Sequence, residues 1–304
     1  DRSPSRGLGD VYKRQPLGQA MHRRVMNDFR QYILTGGMPQ VVDIYRKTKS
    51  FEDADRIKKR ILTLYRQDIT KFARGYEAKV LAVFDELPSQ LSKTEKKYKL
   101  SEISKGARFR DYENAFMWLA EAMIVNNCYN ATEPTVGLAM SEEHTTRKCY
   151  MADTGLLVAH SFMDDKFTDN ELYRDILLDR LHVNEGMLME NIVAQELRAS
   201  GHKLFFYSRS DTNNRENNME IDFLIRKKRK ICPIEVKSGK AYKSHKALDN
   251  FMNIPDYHLE KAYVFSVGNV ETEGTVTYLP IYMCYLLKEQ KLGQMIVELD
   301  TTGL

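Results

Sequence analysis

Asp222, Glu235 and Lys237 are the residues of this chain whose types and spacing could do chemistry. They lie in M-E-I-D-F-L-I-R-K-K-R-K-I-C-P-I-E-V-K-S-G, residues 219–239, which predicts two short strands joined by a basic turn. In the first strand Met219, Ile221, Phe223 and Ile225 alternate with Glu220, Asp222 and Leu224, so Asp222 projects from one face. In the second, Ile231 to Lys237, the residues Glu235 and Lys237 sit two apart and share a face. Paired as a hairpin, the strands would bring Asp222, Glu235 and Lys237 to one end of a small sheet. Two carboxylates and an ammonium held on β-structure can bind a divalent cation and orient a water for hydrolysis. An Asp upstream of Glu-Val-Lys also occurs on ordinary strands, where Lys237 would simply pair with Glu235. The surroundings decide between the two.

Those surroundings supply a framework. Ser238-Gly239 ends the second strand with a turn, and a basic helical stretch follows, with Lys240, Lys243 and Lys246 around Leu248 and Phe251. The segment K-A-Y-V-F-S-V, residues 261–267, predicts the next strand. Upstream, a helix is expected from about Asn184 to Ser200, with Gly201 as its stop. Met187, Val193, Ala194 and Leu197 share one face of it, and Glu190 falls in the middle of that face. A carboxylate on an apolar stripe is costly unless it is paired, protonated or bound to metal. Glu190 is therefore either a buried glutamate satisfied by a backbone group or an arginine, or a further acidic member of the site. The motif downstream favours the second.

Composition bounds the class. The chain has 304 residues, 42% apolar and 29% charged, which fits a soluble globular protein long enough for two domains. The net charge of +4 is a mild excess, so its distribution matters more than its total. The four cysteines, Cys128, Cys149, Cys232 and Cys284, show no C-x-x-C spacing, so a structural zinc site is not expected. Reduced thiols in a cytoplasmic protein are the expectation. No apolar run reaches the roughly 18 residues of a membrane span, and no secretory signal is visible. No G-x-x-x-x-G-K-[ST] occurs, so no Walker A phosphate loop is expected in this chain.

The N-terminal half reads as helices and a small β-unit. Residues 1–15 are polar, basic and aperiodic; they read as translated adapter sequence at the end of a metagenomic gene model and are set aside. Residues 16–75 predict amphipathic helices punctuated by Gly36-Gly37-Met38-Pro39. From 76 to 151 the order is helix, short helix, a helix from Arg108 to Ala120, then strands at Met123–Tyr129 and Thr146–Met151, the order of a winged helix-turn-helix. Lys96, Lys97, Lys99, Lys105, Arg108 and Arg110 crowd the approach to the candidate recognition helix. On a winged helix they would contact nucleic acid; otherwise they are a solvated basic face. Residues 152–180 read as a helical connector, and 181–290 as the block that carries the acidic motif. The expected class is α/β (α+β overall), with helices and a winged helix followed by an αβββαβ domain.

The arrangement D-x12-E-x-K resembles the PD-(D/E)XK signature of restriction-endonuclease-like nucleases. More broadly, Y-I-L-T-G-G-M-P-Q-V-V, L-P-S-Q-L-S, K-G-A-R-F-R-D-Y-E-N-A, Y-M-A-D-T-G-L-L, E-N-I-V-A-Q-E-L, E-I-D-F-L and P-I-E-V-K-S-G occur in that order. The series resembles the bacterial and archaeal AAA-type ATPases that carry a C-terminal domain of unknown function 4143. The resemblance implies an upstream ATP-binding domain that this chain lacks, so that ATP would bind only there and residues 16–75 would be the end of the ATPase lid. It implies that Asp222 and Glu235 ligate Mg²⁺ (or Mn²⁺), with the Val236 carbonyl as a third oxygen. Glu190 would complete the acidic set, Lys237 would orient the attacking water, and Ser238 would contact the phosphate. Two functions follow as expectations: a Mg²⁺-dependent DNA nuclease, or a non-catalytic nucleic-acid-binding or interaction module that keeps the nuclease fold as a scaffold.

Overall fold

The computed structural model describes residues 15–163, 170–177, 184–210, 218–227 and 229–288. The segment 1–14, most of the part set aside as non-native, lies outside the described residues. Three helices open the described chain: α1 (Gln19–Thr35), α2 (Pro39–Thr48) and α3 (Phe51–Phe72). Their ends follow local chemistry. α1 stops at Gly36, whose φ of 76° suits glycine; Pro39 starts α2 where its missing N–H costs nothing; and the Ser50 hydroxyl caps α3 by accepting from the Asp53 amide at 3.2 Å.

The next elements are α4 (Glu77–Asp85), α5 (Leu87–Ser92), α6 (Phe109–Glu121), β1 (Val125–Ala131) and β2 (Glu142–Met151). Then come α7 (Thr154–Ser161), α8 (Asn170–Leu177) and α9 (Glu185–Ala199). The remainder is β3 (Leu204–Arg209), β4 (Met219–Lys227), β5 (Lys230–Val236), α10 (Lys246–Met252), β6 (Ala262–Ser266), β7 (Glu271–Glu273) and β8 (Val276–Pro280). A 3₁₀ turn, Ile281–Leu286, follows. The fold is thus a helical N-terminal part followed by a mixed sheet, and α9 to β6 run in the expected order αβββαβ.

One eight-stranded sheet, in the order β2-β1-β3-β4-β5-β6-β8-β7, organises the molecule. The division expected at residue 151 runs through it. β1 and β2 pair antiparallel, as a wing would, but β1 also pairs in parallel with β3. The expected wing is therefore the edge of the common sheet. The apolar positions of both strands explain this: Val125, Cys128, Cys149, Tyr150 and Met151 are buried in the same core as α9 and β4, and a free wing could not bury them. β7 and β8 were not expected from the sequence; they extend the sheet beyond β6.

Two apolar layers cover the sheet. The larger unites the helical part with α9, and the smaller packs Leu248 and Phe251 of α10 against Ile221, Leu224 and Val264. Two sequence motifs meet in the larger layer. The Asp153 carboxylate caps α7 by accepting from the Leu156 amide at 2.8 Å and also accepts from the Gly37 amide at 2.6 Å. Gly155 lies so close to the end of α1 that a Cβ there would sit 2.4 Å from the Gly36 nitrogen and 2.5 Å from the Thr35 carbonyl. The Gly-Gly-Met-Pro and Asp-Thr-Gly-Leu motifs are one joint, and α7 belongs to the core rather than to a connector. All four cysteines are buried and stand outside any disulfide. Among the described residues no helix is long and apolar enough to cross a membrane.

Candidate functional site

α9 begins at an Asn184 cap, whose side-chain oxygen accepts from the Met187 amide at 3.0 Å. The helix is clamped along β2: the Asn191 side chain accepts from the Met151 amide at 2.9 Å and donates to the Met151 carbonyl at 3.1 Å. This clamp sets Glu190, the neighbouring residue, against Lys148 and Tyr150 of β2. Glu190 is buried, and both of its oxygens are engaged. Oε1 accepts from Lys148 Nζ at 3.1 Å and from the Tyr150 hydroxyl, and Oε2 pairs with Lys96 Nζ at 2.6 Å. Burial alone would raise the carboxyl pKa, but Lys148 and Lys96 outweigh it and bring it to about 2.

The β4–β5 hairpin forms as expected, with Phe223 opposite Ile234 and Leu224 opposite Pro233. The strict alternation expected for β4 does not hold. Phe205 pairs with Leu224 and Tyr207 with Ile221, so β4 carries one extra residue around Asp222–Phe223. This bulge sends Met219, Ile221 and Leu224 to one apolar layer and Phe223 and Ile225 to the other. Bulges recur beside functional sites because they re-aim a side chain. Here Asp222 Oδ2 accepts from the Val236 amide at 2.9 Å, which ties the first carboxylate to the strand that carries the second.

Glu235 Oε1 pairs with Lys237 Nζ at 2.7 Å, while Oε2 is buried with no hydrogen-bond partner among the described residues. Burial, then the Glu235 and Glu190 charges, pushes the Asp222 carboxyl well above its ordinary value. Burial likewise raises Glu235, against the pull of Lys237. Burial would lower Lys237, but Glu235 and Asp222 more than offset it and hold the ammonium charged. These groups line an open pocket of about 690 Å³ with Glu95, Lys96, Lys97, Ser208, Arg209 and Glu220. Val236 is part of the same wall, and Ser238 Oγ lies beside Gly186 in the first turn of α9.

The fit of a divalent cation is therefore divided. Among the described residues no group of three or more His, Cys, Asp and Glu side chains is arranged to hold a metal ion. Glu190 has no free oxygen to offer. Asp222 and Glu235 fit better: Glu235 Oε2 is buried without a hydrogen-bond partner among the described residues, and Asp222, which holds one backbone amide and lies 3.5 Å from Lys148, is a second carboxylate whose ionisation burial opposes and a cation would favour.

The six basic residues divide into two groups. Lys96 and Lys97 turn into the pocket; Lys97 Nζ reaches Glu95 at 2.8 Å and the Ser208 hydroxyl at 3.0 Å. Lys99 pairs with Glu95 at 2.8 Å. Lys105, Arg108 and Arg110 remain exposed around the start of α6, with Arg110 3.7 Å from Asp111.

Lys148, Tyr150 and Glu220 were not singled out from the sequence. Lys148 is 1% exposed, and its Nζ also meets Glu220 Oε1 at 2.9 Å and Asp222 Oδ1 at 3.5 Å. Burial opposes its charge, but Glu190, Glu220 and Asp222 raise its pKa well above the ordinary lysine value. A lysine directly before Cys149-Tyr150-Met151, the apolar end of the strand, was the available signal. Its neighbour Arg147 points to the other face, over the Phe116 ring at 4.8 Å and paired with Glu113 at 2.7 Å.

Comparison with known families divides the chain near α8. Residues 26–166 match the model described as a domain of unknown function, DUF8612, and residues 185–284 match a second domain of unknown function, DUF4143. None of the curated proteins and none of the solved structures compared with the chain matches it. The site is built from both regions: from the first, Lys96 lines the pocket while Lys148 and Tyr150 hold Glu190 from behind it, and Glu190, Asp222, Glu235 and Lys237 come from the second. From the first residue of α9 into the 3₁₀ turn after β8, the chain carries a DUF4143 domain.

Proposed function

We propose that this pocket is a metal-dependent phosphodiesterase site acting on DNA. The observation that carries the reading is Asp222 in one pocket with Glu235, whose Oε2 is buried and without a hydrogen-bond partner among the described residues, next to the ammonium of Lys237. Asp222 and Glu235 would hold Mg²⁺ or Mn²⁺, with the Val236 carbonyl as a further oxygen, and the ion would supply Lewis-acid polarisation of a phosphoryl oxygen. Lys237 keeps its proton, so its part is electrostatic: it faces the phosphate and the charge that develops there. Ser238, whose Oγ lies beside Gly186 of α9, would donate to a phosphate oxygen. Glu190 acts through the lysines it holds. The exposed Lys105, Arg108 and Arg110 would track a duplex backbone. In the longer protein an ATP-binding domain preceding this chain would drive or gate the site, in a cytoplasmic setting that suits four reduced thiols.

A specific observation also favours a second reading. Lys148 already neutralises part of the acidic cluster from within, as a scaffold without catalysis would. Cleavage of plasmid, single-stranded and branched DNA, measured in paired Mg²⁺ and chelator reactions, tests the first reading. Wild-type cleavage that needs the metal and falls about 10²–10³-fold in Lys237→Ala supports it. DNA binding that persists in chelator, with no cleavage in Mg²⁺ or Mn²⁺, leaves the scaffold reading in its place.

A further inference from the structure

The ammonium of Lys148 lies among three carboxylates drawn from two elements: Glu190 of α9 at 3.1 Å, and Glu220 and Asp222 of β4 at 2.9 and 3.5 Å. It is 1% exposed, and its Nζ stands 5.2 Å from the centre of the Phe206 ring. Buried lysines are costly, and this one is kept by the acidic groups around it. Those same oxygens are what a second divalent cation would need. Two-metal sites place their ions about 3.5–4 Å apart and share carboxylates between them, yet here Glu190 is taken by Lys148, Lys96 and Tyr150. One oxygen each of Glu220 and Asp222 faces Lys148.

We infer that Lys148 is a built-in counter-ion that holds the acidic wall in place without metal and limits the site to one divalent cation, bound at Asp222 and Glu235. The inference rests on the metal-dependent reading of the pocket and adds a residue that neither the acidic motif nor the family match assigns. It implies a site of the one-metal kind, with a lysine in the place of the second ion.

The test is Mn²⁺ binding to the full chain by isothermal titration and electron paramagnetic resonance, in wild type, Lys148→Met and Lys148→Arg. Wild type and Lys148→Arg should bind one Mn²⁺. Lys148→Met should bind two, the first at least tenfold more tightly than wild type does. Melting temperature, measured with and without Mn²⁺, covers the case in which Lys148→Met folds poorly: Mn²⁺ should then restore the transition, because it takes the place of the ammonium. A Lys148→Met protein that binds one Mn²⁺ with wild-type affinity overturns the inference, as does one that stays unfolded at saturating Mn²⁺. A wild type that binds no Mn²⁺, beside a Lys148→Met protein that does, would sink the phosphodiesterase reading and leave the counter-ion role intact.

Discussion

Replacing Glu190 by glutamine removes one charge and almost no volume, so its effect can be worked out from the contacts. The carboxylate is buried between Lys148 at 3.1 Å and Lys96 at 2.6 Å, with the Tyr150 hydroxyl as a third donor. Breaking a buried ion pair by neutralising one partner costs about 3–5 kcal/mol. Linkage gives an independent figure. Folding takes the carboxyl from its ordinary 4.5 to about 2, and at about 1.4 kcal/mol per pKa unit this amounts to roughly 3 kcal/mol. The sign follows from the direction of the shift. A depressed carboxylate stabilises the fold fully above its unfolded pKa, and that stabilisation is lost as pH falls from 4.5 towards about 2. Urea unfolding at pH 7 should place Glu190→Gln about 3 kcal/mol below wild type, and at pH 3 the gap should shrink to on the order of 1 kcal/mol. Mn²⁺ affinity should weaken with the loss of one negative charge beside Asp222, but binding should persist, since the residue offers no free oxygen. A variant as stable as wild type at pH 7, or a gap that does not close in acid, would refute the anchoring role. Loss of Mn²⁺ binding in a well-folded variant would restore Glu190 as a ligand.

Asp222→Asn and Glu235→Gln should each weaken Mn²⁺ binding by tenfold or more in isothermal titration, because each removes an anionic oxygen; unchanged affinity in both removes the metal site. Reversing Lys105, Arg108 and Arg110 to Glu should weaken duplex binding and flatten its salt dependence by about 0.9 log units per lost phosphate contact. A salt-independent wild-type affinity would instead assign this face to protein packing. Gly155→Ala should destabilise the fold by roughly 1–3 kcal/mol, because its Cβ would meet the Thr35 and Gly36 backbone at 2.4–2.5 Å. A denaturation midpoint equal to wild type would show that this joint yields.

By itself the sequence determined the local frame of the site. The existence of β4 and β5 and the glycine and proline boundaries of α1, α2 and α9 were legible because each is set by neighbours within a few residues. The two runs and the basic turn between them foretold the hairpin of β4 and β5, although β5 ends at Val236, one residue before Lys237. The oddity of Glu190 on an apolar stripe was legible too, although not which partner resolves it. Lys148 does so from 42 residues away, and no periodicity links the two. The bulge at Asp222 left no mark in the alternation because it appears only against the register of β3. The expected wing failed for the same reason: β1 and β2 have the pattern of an isolated hairpin, and only the parallel pairing with β3 makes them the sheet edge that delivers Lys148. Local periodicity tells which face a residue presents. Which charge waits on the other side is decided when distant segments pack, because the cost of burying a carboxylate is met by whatever cation the fold brings to it.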